Sequence, residues 1–375
     1  MQNMSIPTVM RDRIYFSNLN SIRFIAALLV IICHIELNKK YFEINNFRQQ
    51  FKEFGIIGVD LFFVLSGFLI TFLLLKEKEK YNIINFKNFY LRRILRIWPL
   101  YYFIILLSLF VLPNFSLFFI PNQTFHLSGF KETCKVFCLF LFLMPNVLFF
   151  IKPISFASQT WSIGTEEQFY LIWPLVISKI KKLKKFLIGL ILLYWILYFI
   201  FNLPFFYGLP YFGLFKNYYA VFKVDVLAFG ALGAVFLFEK EIVLKRIINN
   251  RLFIASVVFS VLLYFLNIEF VEIKRILYAA FFMIIILNLV ANKSLTTLLE
   301  NKISNYLGKI SYGLYMYHQI IIVFIINILK KFHVENSFFI YFGSIFTTIL
   351  IAHFSYKFLE RPFLKIKSKY APFEN

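Results

Sequence analysis

Apolar runs of seventeen or more residues follow one another from about residue 19 to residue 358, and no polar segment between them is long enough to fold by itself. Such a run crosses a hydrocarbon layer as a helix, because lipid leaves no partner for an open backbone group. The expectation is an all-α integral membrane protein with about ten transmembrane helices. Its candidate spans lie near 19–38, 54–75, 94–112, 160–178, 186–203, 220–238, 252–268, 273–290, 312–330 and 337–358. An eleventh apolar segment, 133–151, is interrupted by Pro145 and Asn146. Counted as a span, it puts the lysines at 179, 181, 182, 184 and 185 outside, against the positive-inside rule. It is therefore read as re-entrant or interfacial, placed after the third span. With that parity the basic stretches 76–93, 179–185, 239–251, 293–309 and 361–369 all face the cytoplasm, as do both termini. The expected organisation is a tail over 1–18, one membrane domain over 19–363 and a second tail over 364–375.

The net charge of +21, from 40 Lys and Arg against 19 Asp and Glu, belongs to these loops and to anionic headgroups. Membrane lipids are thus expected partners and nucleic acid is not. The first run holds Arg23 and His34 and has no small-residue cleavage pattern behind it, so it is expected to stay as a span. Cys33, Cys134 and Cys138 have neither zinc-knuckle nor redox spacing and read as small packing residues, with no metal expected.

Ionisable groups inside spans are costly and mark sites. Arg23 and His34 are eleven residues apart, three helical turns, so they share one strip of one helix with an offset of roughly 16 Å. A neutral imidazole there can serve as general base on a hydroxyl. In the second span Gly58-Val59-Asp60 precedes Ser66-Gly67; Asp60 is a candidate to hold an arginine or to orient His34, and the glycines allow close helix packing. Arg92, Arg93 and Arg96 enter the third span, and spacings of three and four put Arg93 or Arg92 on one face with Arg96. Guanidinium forks suit phosphate oxygens. The stretch Trp161 to Tyr170 opens the fourth span with two adjacent carboxylates, and Ser162, Glu166 and Tyr170 share a face. A carboxylate bonded to imidazole fixes its tautomer, which makes Glu166 the other candidate to orient His34. Ser311, Tyr315 and His318 share a face of the ninth span. His126 and His333 fall in predicted external loops and His353 is expected to pack in the last span; none of the three is a site candidate.

Taken together, six ordered segments resemble the acyltransferase-3 family of integral membrane acyltransferases: Arg23 with His34, Gly58-Val59-Asp60 with Ser66-Gly67, Arg92-Arg93-x-x-Arg96 with Pro99 and Tyr101, Trp161 to Tyr170, Ser311 to His318, and Glu360-Arg361-Pro362. The resemblance covers about residues 18–363. It implies transfer of an acyl group, most often acetyl from acetyl-CoA, to a hydroxyl of an envelope carbohydrate such as O-antigen, capsule, exopolysaccharide or peptidoglycan, free or lipid-linked. It also implies ten spans with a re-entrant segment after the third. Family members often carry a fused hydrolase-like domain; the chain ends shortly after Pro362, so a stand-alone enzyme is expected. Acyl-CoA is then a donor substrate and no cofactor is bound permanently. His34, Glu166 and Asp60 become the expected catalytic set and Arg23, Arg92, Arg93 and Arg96 the donor-binding set. Ser66, Trp161, Ser162, Glu167, Tyr170, Tyr315 and His318 are the expected additional pocket residues. The rival reading is a multi-span transporter that uses the same Arg, His and Glu as a proton or anion path.

Overall fold

The computed structural model describes residues 15–371, apart from 17, 122–128, 207, 241 and 267–270. Most of the N-terminal tail, the end of the C-terminal tail and His126 therefore lie outside the described residues. Every long regular element within them is a helix: α1 (Leu19–Tyr41), α2 (Arg48–Tyr81), α3 (Phe86–Leu106), α4 (Phe130–Leu141), α5 (Pro145–Ile151), α6 (Trp161–Lys179), α7 (Leu183–Phe201), α8 (Phe212–Val221), α9 (Val224–Glu239), α10 (Ile242–Ile247), α11 (Asn250–Phe265), α12 (Val271–Ala291), α13 (Lys302–Lys309), α14 (Ser311–Lys331), α15 (Ser337–Ser355) and α16 (Arg361–Ser368).

Among the described residues eight helical stretches are long and apolar enough to cross a membrane, and each coincides with an expected span. The other two expected spans are helices as well. One is α6, whose first half carries Glu166, Glu167 and Gln168; the other is α11, with 16 residues. The expected span 220–238 begins instead as two helices, α8 and α9, parted at Phe222 and Lys223, where Lys223 has φ 29°. The carbonyls exposed by that break do not go unpaired. Tyr194 Oη donates to Tyr219 O at 2.9 Å, Arg275 Nη1 to Ala220 O at 3.3 Å and Thr165 Oγ1 to Val221 O at 3.4 Å.

The segment expected to be re-entrant is broken where the sequence places Pro145. Helix α4 ends, Leu143 turns through φ 57°, and α5 starts with the proline at its first position. The freed carbonyls take donors from neighbouring helices: Tyr101 Oη donates to Phe140 O and Tyr102 Oη to Leu141 O, both at 3.0 Å, and Gln168 Nε2 to Leu143 O at 3.2 Å. Asn146 Nδ2 donates back to Gln168 Oε1 at 2.9 Å. Irregular backbone at membrane depth is tolerated only with such shielding.

Small residues set the closest helix packing. Helices α2 and α9 cross at Gly67 and Gly230, where an added Cβ would sit 1.9 Å from Leu227 O and 2.0 Å from Val64 O. Contacts along this pair rise together, from Asp60 with Lys223 through Gly67 with Leu227 to Phe72 with Phe238, so the two helices run parallel. Parallel α2 and α9 require an odd number of crossings between them. Crossings by α3, α6 and α7 meet that parity, and counting α4 and α5 as one further crossing breaks it. Helices α1 and α14 are parallel too: His34 meets His318, Asn38 meets Gln319 and, just past the end of α1, Phe42 O accepts from Lys330 Nζ.

Candidate active site

Four helices, α1, α2, α3 and α6, meet the start of α14 around a cavity of about 130 Å³. Arg23, Ser66, Arg93, Arg96, Ser162, Glu166, Tyr170, Ser311 and Tyr315 line it, with Tyr312, which the sequence did not single out, and an apolar wall that includes Val59, Phe62 and Ile163. Eight of the expected site residues are thus brought together from five parts of the chain.

Three guanidinium groups face one carboxylate here. Arg23 Nη1 donates to Asn20 Oδ1 at 2.9 Å. Arg93 lies over the Tyr170 ring at 5.7 Å and the Phe89 ring at 5.9 Å, and its buried Nε has no hydrogen-bond partner among the described residues. Within the same residues Arg96 donates no hydrogen bond. Glu166 Oε2 accepts from Tyr170 Oη at 2.7 Å, and that hydroxyl also contacts Ser66 Oγ. The cavity therefore carries an excess of positive charge and unused fork donors, a chemistry that selects an anion with several oxygens.

The two histidines stand just beyond the cavity. His318 Nε2 is 3.2 Å from His34 Nδ1, with ring centroids 4.9 Å apart. His34 Nδ1 also lies 2.9 Å from Val30 O, and His318 Nδ1 lies 2.5 Å from Tyr315 O. A carbonyl only accepts, so in neutral rings both Nδ1 atoms carry the proton. That assignment leaves Nε2 of His34 with its lone pair, the state a general base needs. Tyr315 links the pair to the cavity: its ring is 5.7 Å from that of His318, and its hydroxyl reaches Gln159 O and Ser162 Oγ, each at 2.8 Å.

Neither carboxylate expected to orient His34 touches it. Asp60 is bound to Lys223 Nζ at 2.6 Å, with the carboxylate fully buried, and Glu166 is bound to Tyr170. The backbone at Val30 and the second histidine hold the ring instead. The signal for Lys223 was present, as a lone cation entering the sixth apolar run beside Asp225; only its partner on α2 was hidden. Arg92 stands outside the cavity, with Nη2 on Glu77 at 3.0 Å and Nη1 donating to Tyr370 O at 2.8 Å. Glu167 turns to α3, where its Oε2 accepts from Trp98 Nε1 at 3.1 Å. Trp161 packs edge-on against Phe63 at 6.1 Å with Lys223 Nζ over its face at 5.7 Å. His333 is exposed and His353 Nδ1 is 2.5 Å from Tyr306 Oη; neither is among the residues that line the cavity.

Within the helical bundle, then, a cationic cavity lies next to a pair of contacting histidines. The acyltransferase-3 domain matches residues 16–356, and the chain belongs to that family of membrane acyltransferases. The Staphylococcus aureus (strain COL) protein named "Putative O-acetyltransferase" is 29% identical over 94% of this chain and 58% of its own length. The peptidoglycan O-acetyltransferase OatA of Listeria monocytogenes is 28% identical over 96% of this chain and 57% of its own. The O-acetyltransferase OatA of Staphylococcus aureus (strain NCTC 8325) is 29% identical over 94% and 57%. The chain thus spans somewhat over half the length of these relatives. No solved structure matches it.

Proposed function

We propose that this chain transfers acetyl from acetyl-CoA to a hydroxyl of a cell-envelope carbohydrate, peptidoglycan being the acceptor that a relative's name supports. The observation that carries the reading is the convergence of Arg23, Arg93 and Arg96 on one cavity beside the His34–His318 pair. Donor phosphates occupy the guanidinium forks and the thioester points toward the histidines. His34 Nε2 takes the proton of the acceptor hydroxyl as its oxygen attacks the thioester carbonyl. The carbon–sulfur bond breaks and the CoA thiolate receives that proton, so the products are an ester and free CoA-SH. Arg92, occupied by Glu77 and Tyr370, braces the bundle rather than the donor.

In this reading the chain sits in the bacterial cytoplasmic membrane with both termini inside. The basic loops favour that orientation, which puts the arginines on the side of CoA and the acceptor on the other. The test is thiol release by purified protein in nanodiscs given acetyl-CoA with and without a soluble peptidoglycan fragment. Release that depends on the fragment and is lost in His34→Ala is expected. Full activity in His34→Ala, or solute movement across vesicles without thioester consumption, overturns the proposal.

A further inference from the structure

The cavity has two ends of different chemistry. At one, Tyr170 holds Ser66 and carries the Arg93 guanidinium on its ring. At the other, Ser162 holds Tyr315, and Tyr315 touches His318. Ser162 and Tyr170 are eight residues apart on α6, so the ends are separated by about 12 Å.

The histidine end carries an aromatic wall. Phe62 is half-buried, unlike the buried Leu61 and Phe63 beside it, and lines the cavity together with Val59, Ile163 and Tyr315. Its ring meets that of Tyr315 edge-on, 5.9 Å between centroids at 73°. Tyr315 is in turn fixed through its hydroxyl to Gln159 O and Ser162 Oγ. A ring backed by a side chain with both its apolar face and its hydroxyl committed does not shift cheaply to admit extra volume.

We infer that Phe62, braced by Tyr315, limits the length of the acyl chain this enzyme accepts. The inference rests on the donor orientation proposed above, in which phosphates take the arginine end and the acyl group the histidine end. An acetyl group ends in one methyl at this wall. Each further methylene has to enter the space the Phe62 ring fills. Shortening that side chain opens an extension of the cavity, whose apolar lining residues include Val59, one turn earlier on α2, and Ile163.

The experiment compares kcat/KM for acetyl-CoA and butyryl-CoA, by thiol release with a peptidoglycan fragment present, in wild type, Phe62→Ala and Phe62→Leu. The ratio within one preparation is unaffected by the fraction of protein that folds. The butyryl-to-acetyl ratio is expected to rise at least about tenfold in Phe62→Ala, the discrimination that one or two methylenes carry in an apolar pocket, with Phe62→Leu between. A ratio within about twofold of wild type in both variants refutes the role of Phe62 while leaving acetyl transfer standing. Absence of thiol release from acetyl-CoA in wild type overturns the donor reading and this inference together.

Discussion

Gly67→Ala is the sharpest test of how the bundle holds its site. The new Cβ falls 1.9 Å from Leu227 O and 3.2 Å from Ala231 N, both backbone atoms of α9, so no rotamer change relieves the clash. Ordinary contact begins at 3.4 Å, so the two helix axes must part by about 1.5 Å at their crossing. Overpacking of this kind costs about 1–3 kcal/mol, and here the whole of α2 must move, which places the expected cost at the upper end. The same displacement pulls Ser66, the preceding residue, away from Tyr170 and Glu166. Two readouts follow: the melting temperature in detergent, followed by retention of the monodisperse peak after heating, and turnover of acetyl-CoA on surviving protein. A drop of several degrees and a loss of about tenfold or more in turnover are expected, since a 1 Å misplacement costs about 100-fold in favourable cases. The control is Gly189→Ala on α7, where the added methyl meets nothing within 4 Å and helix propensity favours the change. Equal stability of Gly67→Ala and Gly189→Ala refutes the account of the α2–α9 crossing.

Three further expectations concern charges. Asp60→Leu alone, which strands Lys223 in the bundle, should destabilise by about 3–5 kcal/mol, whereas Asp60→Leu with Lys223→Met should recover most of the loss and retain turnover. Turnover abolished in a well-folded double variant would instead make Asp60 a catalytic group. Arg92→Ala should expose the tail near Tyr370 to protease with less than a threefold change in KM for acetyl-CoA, while Arg96→Ala raises that KM by about tenfold or more, the worth of a charge-assisted bond; equal KM effects would return Arg92 to the donor site. At the start of the chain, Tyr15 donates to Glu300 Oε1 and the Asn18 amide to Glu300 Oε2 at 2.8 Å. Burial followed by this bond pushes the Tyr15 hydroxyl up to about 12. Against partial burial, the bonds from Tyr15, Asn18 and Asn305 hold the Glu300 carboxyl below its ordinary value. A depressed carboxyl stabilises above its unfolded pKa of about 4.3 and loses that contribution as pH falls through the folded value. Pepsin cleavage near residue 15 should therefore accelerate as pH drops below about 4 in wild type and be fast and pH-insensitive in Glu300→Gln; an identical profile for both refutes the tether.

What the sequence made legible was whatever one helix decides alone. The Arg23–His34 strip follows from 100° per residue, and the break at 133–151 from Pro145 and Asn146. The same rule left a choice at Arg92 and Arg93: neighbours on a helix differ by 100°, so one of them had to turn away, and nothing local says which. Packing against Glu77 and Tyr370 settles it. Contacts between helices far apart in sequence were out of reach in the same way. His34 meets His318 and Asp60 meets Lys223 across 284 and 163 positions, and no periodicity within either segment encodes those pairings. Burial alone pointed to a partner for Asp60; it did not name one.

Helix α1 also acts as a ruler. With Arg23 at the arginine end and His34 at the histidine end of one rigid rod, their separation and their common facing are set by the same eleven steps. One inserted residue turns His34 through about 100° away from His318, and an insertion of seven restores the facing while stretching the span by about 10 Å. Neither preserves both quantities. The loops of this protein can drift in length as lineages diverge, but the stretch from Arg23 to His34 can change only by substitution, so its residue count should be the least variable dimension in the whole chain.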